Sequence, residues 1–355
     1  MSKIISLLFL AATCVACTVP DHVPPPESAV VVYAITETDP VNSRDDAADD
    51  PAIWVHPSDP KLSRIIGTDK KAGIEVYSLD GSRLQTISAG RTNNVDLRMV
   101  TEVDNWSALV VASNRSFNTL SLFLVDNSGE LTWLRDSEVN TGLTEPYGLC
   151  MYQSEVGMQV FVNDTDGRYQ QWLLTPQWQS NNALPKVTAS LLREFAVSSQ
   201  PEGCVADDEN QRLFVGVEDE GIRTVSARHD DNAEMQVIAN IDGEILVSDV
   251  EGMSLYFEGA GGYLIVSSQG NYSYAVYDRL PPHQYRGSFV VKGSLQSAID
   301  GTEETDGLDA NSLLRAGQYP EGILVVQDGY NTLPPRSQNF KYISWRDVRS
   351  KLSLQ

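Results

Sequence analysis

Five passages spaced roughly 50 residues apart follow one plan, in which a polar or acidic group, often with Pro or Gly, runs straight into an apolar strand. They are Asp49-Asp50-Pro51-Ala52-Ile53-Trp54, Asn94-Val95-Asp96-Leu97-Arg98, Glu145-Pro146-Tyr147-Gly148-Leu149, Gln200-Pro201-Glu202-Gly203-Cys204 and Asp249-Val250-Glu251-Gly252-Met253. A sixth, Tyr319-Pro320-Glu321-Gly322-Ile323-Leu324, follows a longer gap that reads as an insertion around Asp300 to Asn311. Between the passages lie short β-branched runs such as Leu109-Val110-Val111-Ala112 and Tyr263-Leu264-Ile265-Val266, separated by turn signals such as Asp80-Gly81 and Asn127-Ser128-Gly129. A period near 50 with about four short strands per repeat is that of a propeller blade. The expected fold is all-β, a six-bladed β-propeller of four-stranded blades around a central channel, spanning 31–355. In that fold each innermost strand begins beside the axis, so six separate polar passages converge at one end of the channel.

Convergence turns scattered acids into a site. The entries would bring together Asp49, Asp50, Glu202, Asp249 and Glu251, with Glu218, Asp219 and Glu220 close by. Adjacent carboxylates about 4 Å apart repel by roughly 4 kcal/mol at an effective dielectric near 20. Oxygen-only clusters of this kind suit Ca²⁺, which takes six to eight hard ligands in flexible geometry. Zinc is disfavoured, because His56, His229 and His283 have no ligand spacing, and His56 beside Pro57 reads as structural. Cations occur in the early blades: Lys70-Lys71, Arg98 and Arg115. Beside calcium they make sense as phosphate clamps, Arg through bidentate hydrogen bonds and Lys as a point charge. A formal charge of -22 excludes nucleic acid as a partner and admits a polyanion only where bound metal inverts the local field. No Gly-rich phosphate loop, Gly-x-Ser-x-Gly elbow or metal-binding His pair is present.

The N-terminus reads as an export signal over 1–17. Lys3 is the positive flank, Ile4 to Ala12 a short apolar run, and Val15-Ala16-Cys17 a lipoprotein box, although Cys14 stands where a leucine is usual. Simple cleavage of the signal therefore stays open beside lipidation of Cys17. The stretch 18–30, with Pro20, Pro24, Pro25 and Pro26, is a stiff spacer. The expectation is an exported protein: an outer-membrane lipoprotein, periplasmic or extracellular, touching membrane only through such an anchor. In an oxidising compartment Cys150 and Cys204 either pair or remain buried thiols. No feature points to an oligomer, so a monomer is expected.

Two passages, Asp46-Ala47-Ala48-Asp49-Asp50-Pro51-Ala52-Ile53-Trp54 and Asn93-Asn94-Val95-Asp96-Leu97-Arg98, resemble the two motifs of the β-propeller phytases; the second departs at Met99, where a tyrosine is usual. The resemblance runs from about Asp45 to the C-terminus, through Pro201-Glu202-Gly203, Asp249-Val250-Glu251-Gly252, Thr305-Asp306-Gly307 and Gln338-Asn339-Phe340-Lys341. It implies calcium-dependent hydrolysis of phosphomonoesters of myo-inositol hexakisphosphate (phytate), the substrate or its calcium salt being the partner, by direct attack of a calcium-bound water. Matching motifs imply catalytic calcium ligands at Asp49, Glu202, Glu218, Asp249, Glu251, Gln269 and Asp306. Structural calcium ligands are implied at Asp50, Asp300, Asp328 and Asn331, and phosphate-binding groups at Lys70, Lys71, Arg115 and Tyr147. Where well-known members carry a Lys-Glu pair, this chain has Thr165-Asp166, which leaves Arg168 as the candidate substitute at a second phosphate subsite. The competing readings are a calcium-dependent lactonase or esterase propeller, with an apolar pocket and one channel ion, and a non-catalytic calcium-stabilised binding propeller.

Overall fold

The computed structural model describes residues 23–355 apart from 102, 104 and 180–182. The export signal and the first part of the spacer lie outside the described residues. Among the described residues the strands form six sheets, antiparallel throughout except that Val30–Val32 adds in parallel to the outer edge of Tyr285–Val291. Their innermost strands are Ala48–Trp54, Thr92–Met99, Pro146–Ser154, Pro201–Asp207, Val250–Glu258 and Leu308–Asn311, each packing against the next around an axis. The expected six-bladed propeller is the fold. One α-helix, Trp345–Leu352, follows the last strand, and no helix of the described residues is long and apolar enough to cross a membrane.

The continuous apolar runs follow from blade packing. A strand inside a propeller buries both faces, one against each neighbouring blade, so alternate residues enter different cores. Ala108, Val110 and Ala112 pack towards the first blade, while Leu109 and Val111 pack towards the third. Such strands need no polar face and read as unbroken β-branched stretches.

The sixth repeat corrects the sequence reading. The stretch taken as an insertion contains that blade's innermost strand, Leu308–Asn311, entered through Asp306-Gly307. Tyr319-Pro320-Glu321-Gly322 instead leads into the second strand, Ile323–Asp328. The outermost strand of the sixth blade is Thr36–Glu37 from the other end of the chain, paired antiparallel with Asn339–Ser344. A clasp seals this closure: the fully buried ammonium of Lys341 lies among Glu37 (2.5 Å), Asp328 (3.3 Å) and Asp300.

Neighbouring entries touch through backbone. A Cβ on Gly203 would stand 2.1 Å from Glu251 O, and one on Gly307 2.5 Å from Asp50 Cα, so only glycine permits the approach. Carboxylates staple the blades further on: Asp50 Oδ2 accepts from Val95 N (3.0 Å), Asp96 Oδ2 from Met151 N (2.7 Å) and Asp309 Oδ2 from Ile53 N (2.9 Å). Cys150 and Cys204, on the innermost strands of blades three and four, form a disulfide. It closes a separation of 54 residues, for which restriction of the unfolded chain contributes about 4 kcal/mol. Reduction, or Cys150→Ser with Cys204→Ser, should lower the unfolding free energy in denaturant by that amount; an unchanged midpoint would mean that the thiols are free in solution.

Candidate active site

Strand direction decides which residues meet. In each antiparallel blade the first strand starts, and the second ends, at the same face of the ring. First-strand entries therefore mix with second-strand exits. The entries bring Asp49, Asn93, Tyr147, Glu202, Glu251 and Asp306, one from each blade. Most sit at a register shift, for example between Pro201 and Cys204 or Val250 and Met253, where the bulge turns the side chain out of the sheet and towards the axis. The exits bring Lys70, Arg115, Glu218, Gln269 and Asn331.

At this face opens a cavity of about 710 Å³ whose walls include Lys70, Tyr147, Glu202, Glu218, Asp249, Glu251, Gln269, Asp306 and Asn331. Carboxylate oxygens of Glu202, Glu218 and Glu251 lie within 4.8 Å of one another. Asp49 Oδ1 and Glu251 Oε2 are buried without a hydrogen-bond partner. Burial pushes the Glu218 carboxyl up to about 7, helped by Glu202 and Asp249 and opposed by a hydrogen bond from Gln200 (2.7 Å). Asp49 rises to about 7 through burial and the charge of Glu202, although Lys70 pulls the other way. Glu251 and Asp306 are held well above the carboxylate range by burial, with Glu202 adding to both. Asp249 is raised by burial and by Asp219. These are the marks of a cluster that wants a cation. The donors are all hard oxygens, and no histidine or cysteine lines the cavity among the described residues, so the residues fit calcium.

Lys70 Nζ contacts Asp46 (2.7 Å), Asp306 (3.1 Å) and Asp49 (3.2 Å); burial works against its charge, but these acids hold its pKa up. The Tyr147 hydroxyl is pushed far up by burial and by Glu202, so it stays a proton donor. Arg115 lies 5.5 Å from the Tyr147 ring centre and 3.5 Å from Glu145, beside the cavity wall rather than on it.

Several residues expected at the site lie elsewhere. Lys71 is exposed, with Nζ on Arg44 O (2.5 Å). Arg168 is held by Asp164 (2.9 Å) and Asp166 (2.8 Å) outside the cavity. Arg98 sits at the far end of its strand, paired with Asp96 (3.1 Å) and Asp208 (2.9 Å), and borders a different cavity at the opposite mouth. Glu220 pairs with Arg223 (3.1 Å). Asp50 lines the narrow channel below the cavity. Asp300 and Asp328, implied as structural rather than catalytic calcium ligands, stand at the ring closure around Lys341. Burial raises Asp328 to about 6, whereas Lys341 and Thr332 hold Asp300 low against its own burial. The two shifts differ in sign because Asp328 is the more deeply buried, while Asp300 has Lys341 closer and Thr332 besides.

Other contributors escaped the sequence reading. Asn93 is fully buried and donates from Nδ2 to Glu202 Oε1 (2.7 Å); its place as the second blade's entry was the available signal. Gln200, Glu304 and Arg336 also line the cavity.

A family model described as phytase matches residues 1–354. The 3-phytase of Bacillus subtilis (strain 168) is 38% identical over 357 residues, covering 98% of this chain and 91% of that protein. Two solved structures match more distantly. A nidogen/laminin complex has 14% identity and a TM-score of 0.47, over 73% of this chain and 83% of that one. A functionally unknown protein from Desulfotomaculum acetoxidans DSM 771 has 14% identity and a TM-score of 0.44, over 67% and 70%. Neither carries a functional argument. The match along the whole length, together with a propeller whose six entries converge on one acidic cavity, places this chain in the phytase family, whose members are phosphoric monoester hydrolases.

Proposed function

We propose that the phytate hydrolysis to which family membership assigns this chain runs with calcium held by Asp49, Glu202, Glu218, Asp249, Glu251, Gln269 and Asp306. The observation that carries the calcium reading is the Glu202, Glu218 and Glu251 cluster within 4.8 Å, flanked by unpartnered buried oxygens on Asp49 and Glu251. Bound calcium supplies Lewis acidity and neutralises charge on the phosphoryl oxygens. The chain's own residues orient the substrate. Lys70, pinned by three acids, holds its ammonium at the cavity wall as a fixed charge for a phosphate oxygen. Tyr147 donates from a hydroxyl that stays protonated. Arg115, braced by Glu145 and the Tyr147 ring, backs the same phosphate. Asn93 fixes the orientation of Glu202. The nucleophile is water, and with no histidine in the walls among the described residues no covalent phosphohistidine enters the scheme. A lactonase would want an apolar pocket, and no aliphatic side chain lines these walls among the described residues.

The test is phosphate release from phytate, titrated with calcium and then with chelator. Release that rises with calcium and is lost on chelation before the fold melts supports the reading. A folded, calcium-loaded protein that releases no phosphate would sink it.

Export belongs to the same reading. The Lys3 to Ala16 pattern and the Cys150–Cys204 disulfide both suit an oxidising compartment outside the cytoplasm. Mass measurement of the N-terminal peptide decides between lipid on Cys17 and simple cleavage.

A further inference from the structure

Phytate carries six phosphates, and the cavity walls offer very few cations to meet them. Among the described residues, Lys70 and Arg336 are the only basic side chains lining it, against eight carboxylates. Lys70 is already engaged by Asp46, Asp49 and Asp306. Lys71 and Arg168, the expected additional clamps, are committed to Arg44 O and to Asp164 with Asp166. Arg336 alone lines the cavity with its charge uncommitted, forming no ion pair among the described residues.

Its backbone is well fixed. Arg336 lies in the turn between the strands Ile323–Asp328 and Asn339–Ser344. Arg336 N donates to Asn331 O (3.1 Å), and Asn331 Nδ2 to Ser337 O (3.0 Å). Gln338 Oε1 accepts from Ala47 N (2.6 Å) and Ala48 N (2.8 Å), while Gln338 Nε2 holds Gly329 O (3.1 Å). The loop is thus docked on the strand that carries Asp49, and it holds the exposed Arg336 at the cavity wall without an ordering cost in the backbone.

We infer that Arg336 binds a substrate phosphate other than the one being cleaved, and so selects polyphosphorylated rings over single phosphomonoesters. This rests on the phytase reading above. A planar guanidinium offers two parallel hydrogen bonds to a phosphate, geometry that a lysine lacks. Arg336 also borders a smaller recess lined by Glu37, Asp39 and Asp80, and a structural arginine would serve those acids instead.

The full chain, wild type and with Arg336→Ala or Arg336→Lys, is assayed with calcium for phytate turnover. Binding of myo-inositol hexasulfate, a polyanion without a cleavable phosphate, is measured alongside. In Arg336→Ala, KM for phytate and Kd for the hexasulfate should both rise about tenfold, the loss expected for one charged hydrogen-bonded contact. The kcat should stay within about twofold and the melting temperature unchanged, with Arg336→Lys falling between. Unchanged KM and Kd, or a lowered melting temperature with Kd intact, would overturn the inference in favour of the recess. If wild type releases no phosphate from phytate, the functional reading fails, and the hexasulfate titration still decides the role of Arg336.

Discussion

Glu202→Gln should reduce phosphate release from phytate by about a thousandfold, on the order of 4 kcal/mol of transition-state stabilisation. Its carboxylate stands in the Glu202, Glu218 and Glu251 cluster and raises the pKa of Asp49, Glu251 and Asp306. Glutamine keeps the shape and can still accept from Asn93 Nδ2, so the fold has no reason to change. What is lost is one negative ligand charge at the centre of the site. Thermal melting in calcium should move little. Without metal the substitution should stabilise the protein by about 1 kcal/mol at pH 8, because one like charge has gone from a buried cluster. Steady-state kinetics with melting curves at both calcium levels checks both halves. Activity within tenfold of wild type would remove Glu202 from the machinery.

The second large effect is on metal-free stability. Several carboxylates have folded pKa values raised above their unfolded values, Asp49 and Glu218 to about 7, with Asp50, Glu251 and Asp306 also raised, in each case first of all by burial. Between the unfolded and folded values the native state binds more protons than the unfolded chain. Stability must therefore fall as pH rises through that window. From pH 4 to pH 8 the metal-free protein should lose about 5 kcal/mol, with the partly solvated Glu218 contributing less than its full shift. Calcium replaces the missing protons, so its stabilising effect should grow over the same range. Denaturant unfolding with chelator at several pH values measures this, and a metal-free protein as stable at pH 8 as at pH 4 would refute it.

How much of this was legible beforehand depended on the kind of interaction. The blade count came from the entry passages, since each innermost strand must leave a polar turn at the axis and bury both faces at once. The one misplaced blade shows the limit. Thr305-Asp306-Gly307 leads into a strand of four residues, Leu308–Asn311, with two of them only half-buried, whereas Tyr319-Pro320-Glu321-Gly322 precedes the long apolar run of a second strand. Apolar pattern alone favours the wrong one. Closure by the two-residue strand Thr36–Glu37 carries no periodic signal at all.

The cavity acids were readable because carboxylates at equivalent repeat positions converge whatever the details of packing. The cations were not, because a long side chain reaches several partners and only its neighbours decide among them. Arg168 had the right neighbourhood and went to Asp164 and Asp166; Arg98 began from the right motif but points to the opposite mouth. Arg336 sits in a turn without pattern and reaches the cavity only because Gln338 docks that turn on Ala47 and Ala48, nearly three hundred residues away. Repeat period and residue class determined the ring and its acidic end. Which charges face that end was decided by tertiary structure, because direction and pairing in a closed ring depend on contacts between blades that no local stretch contains.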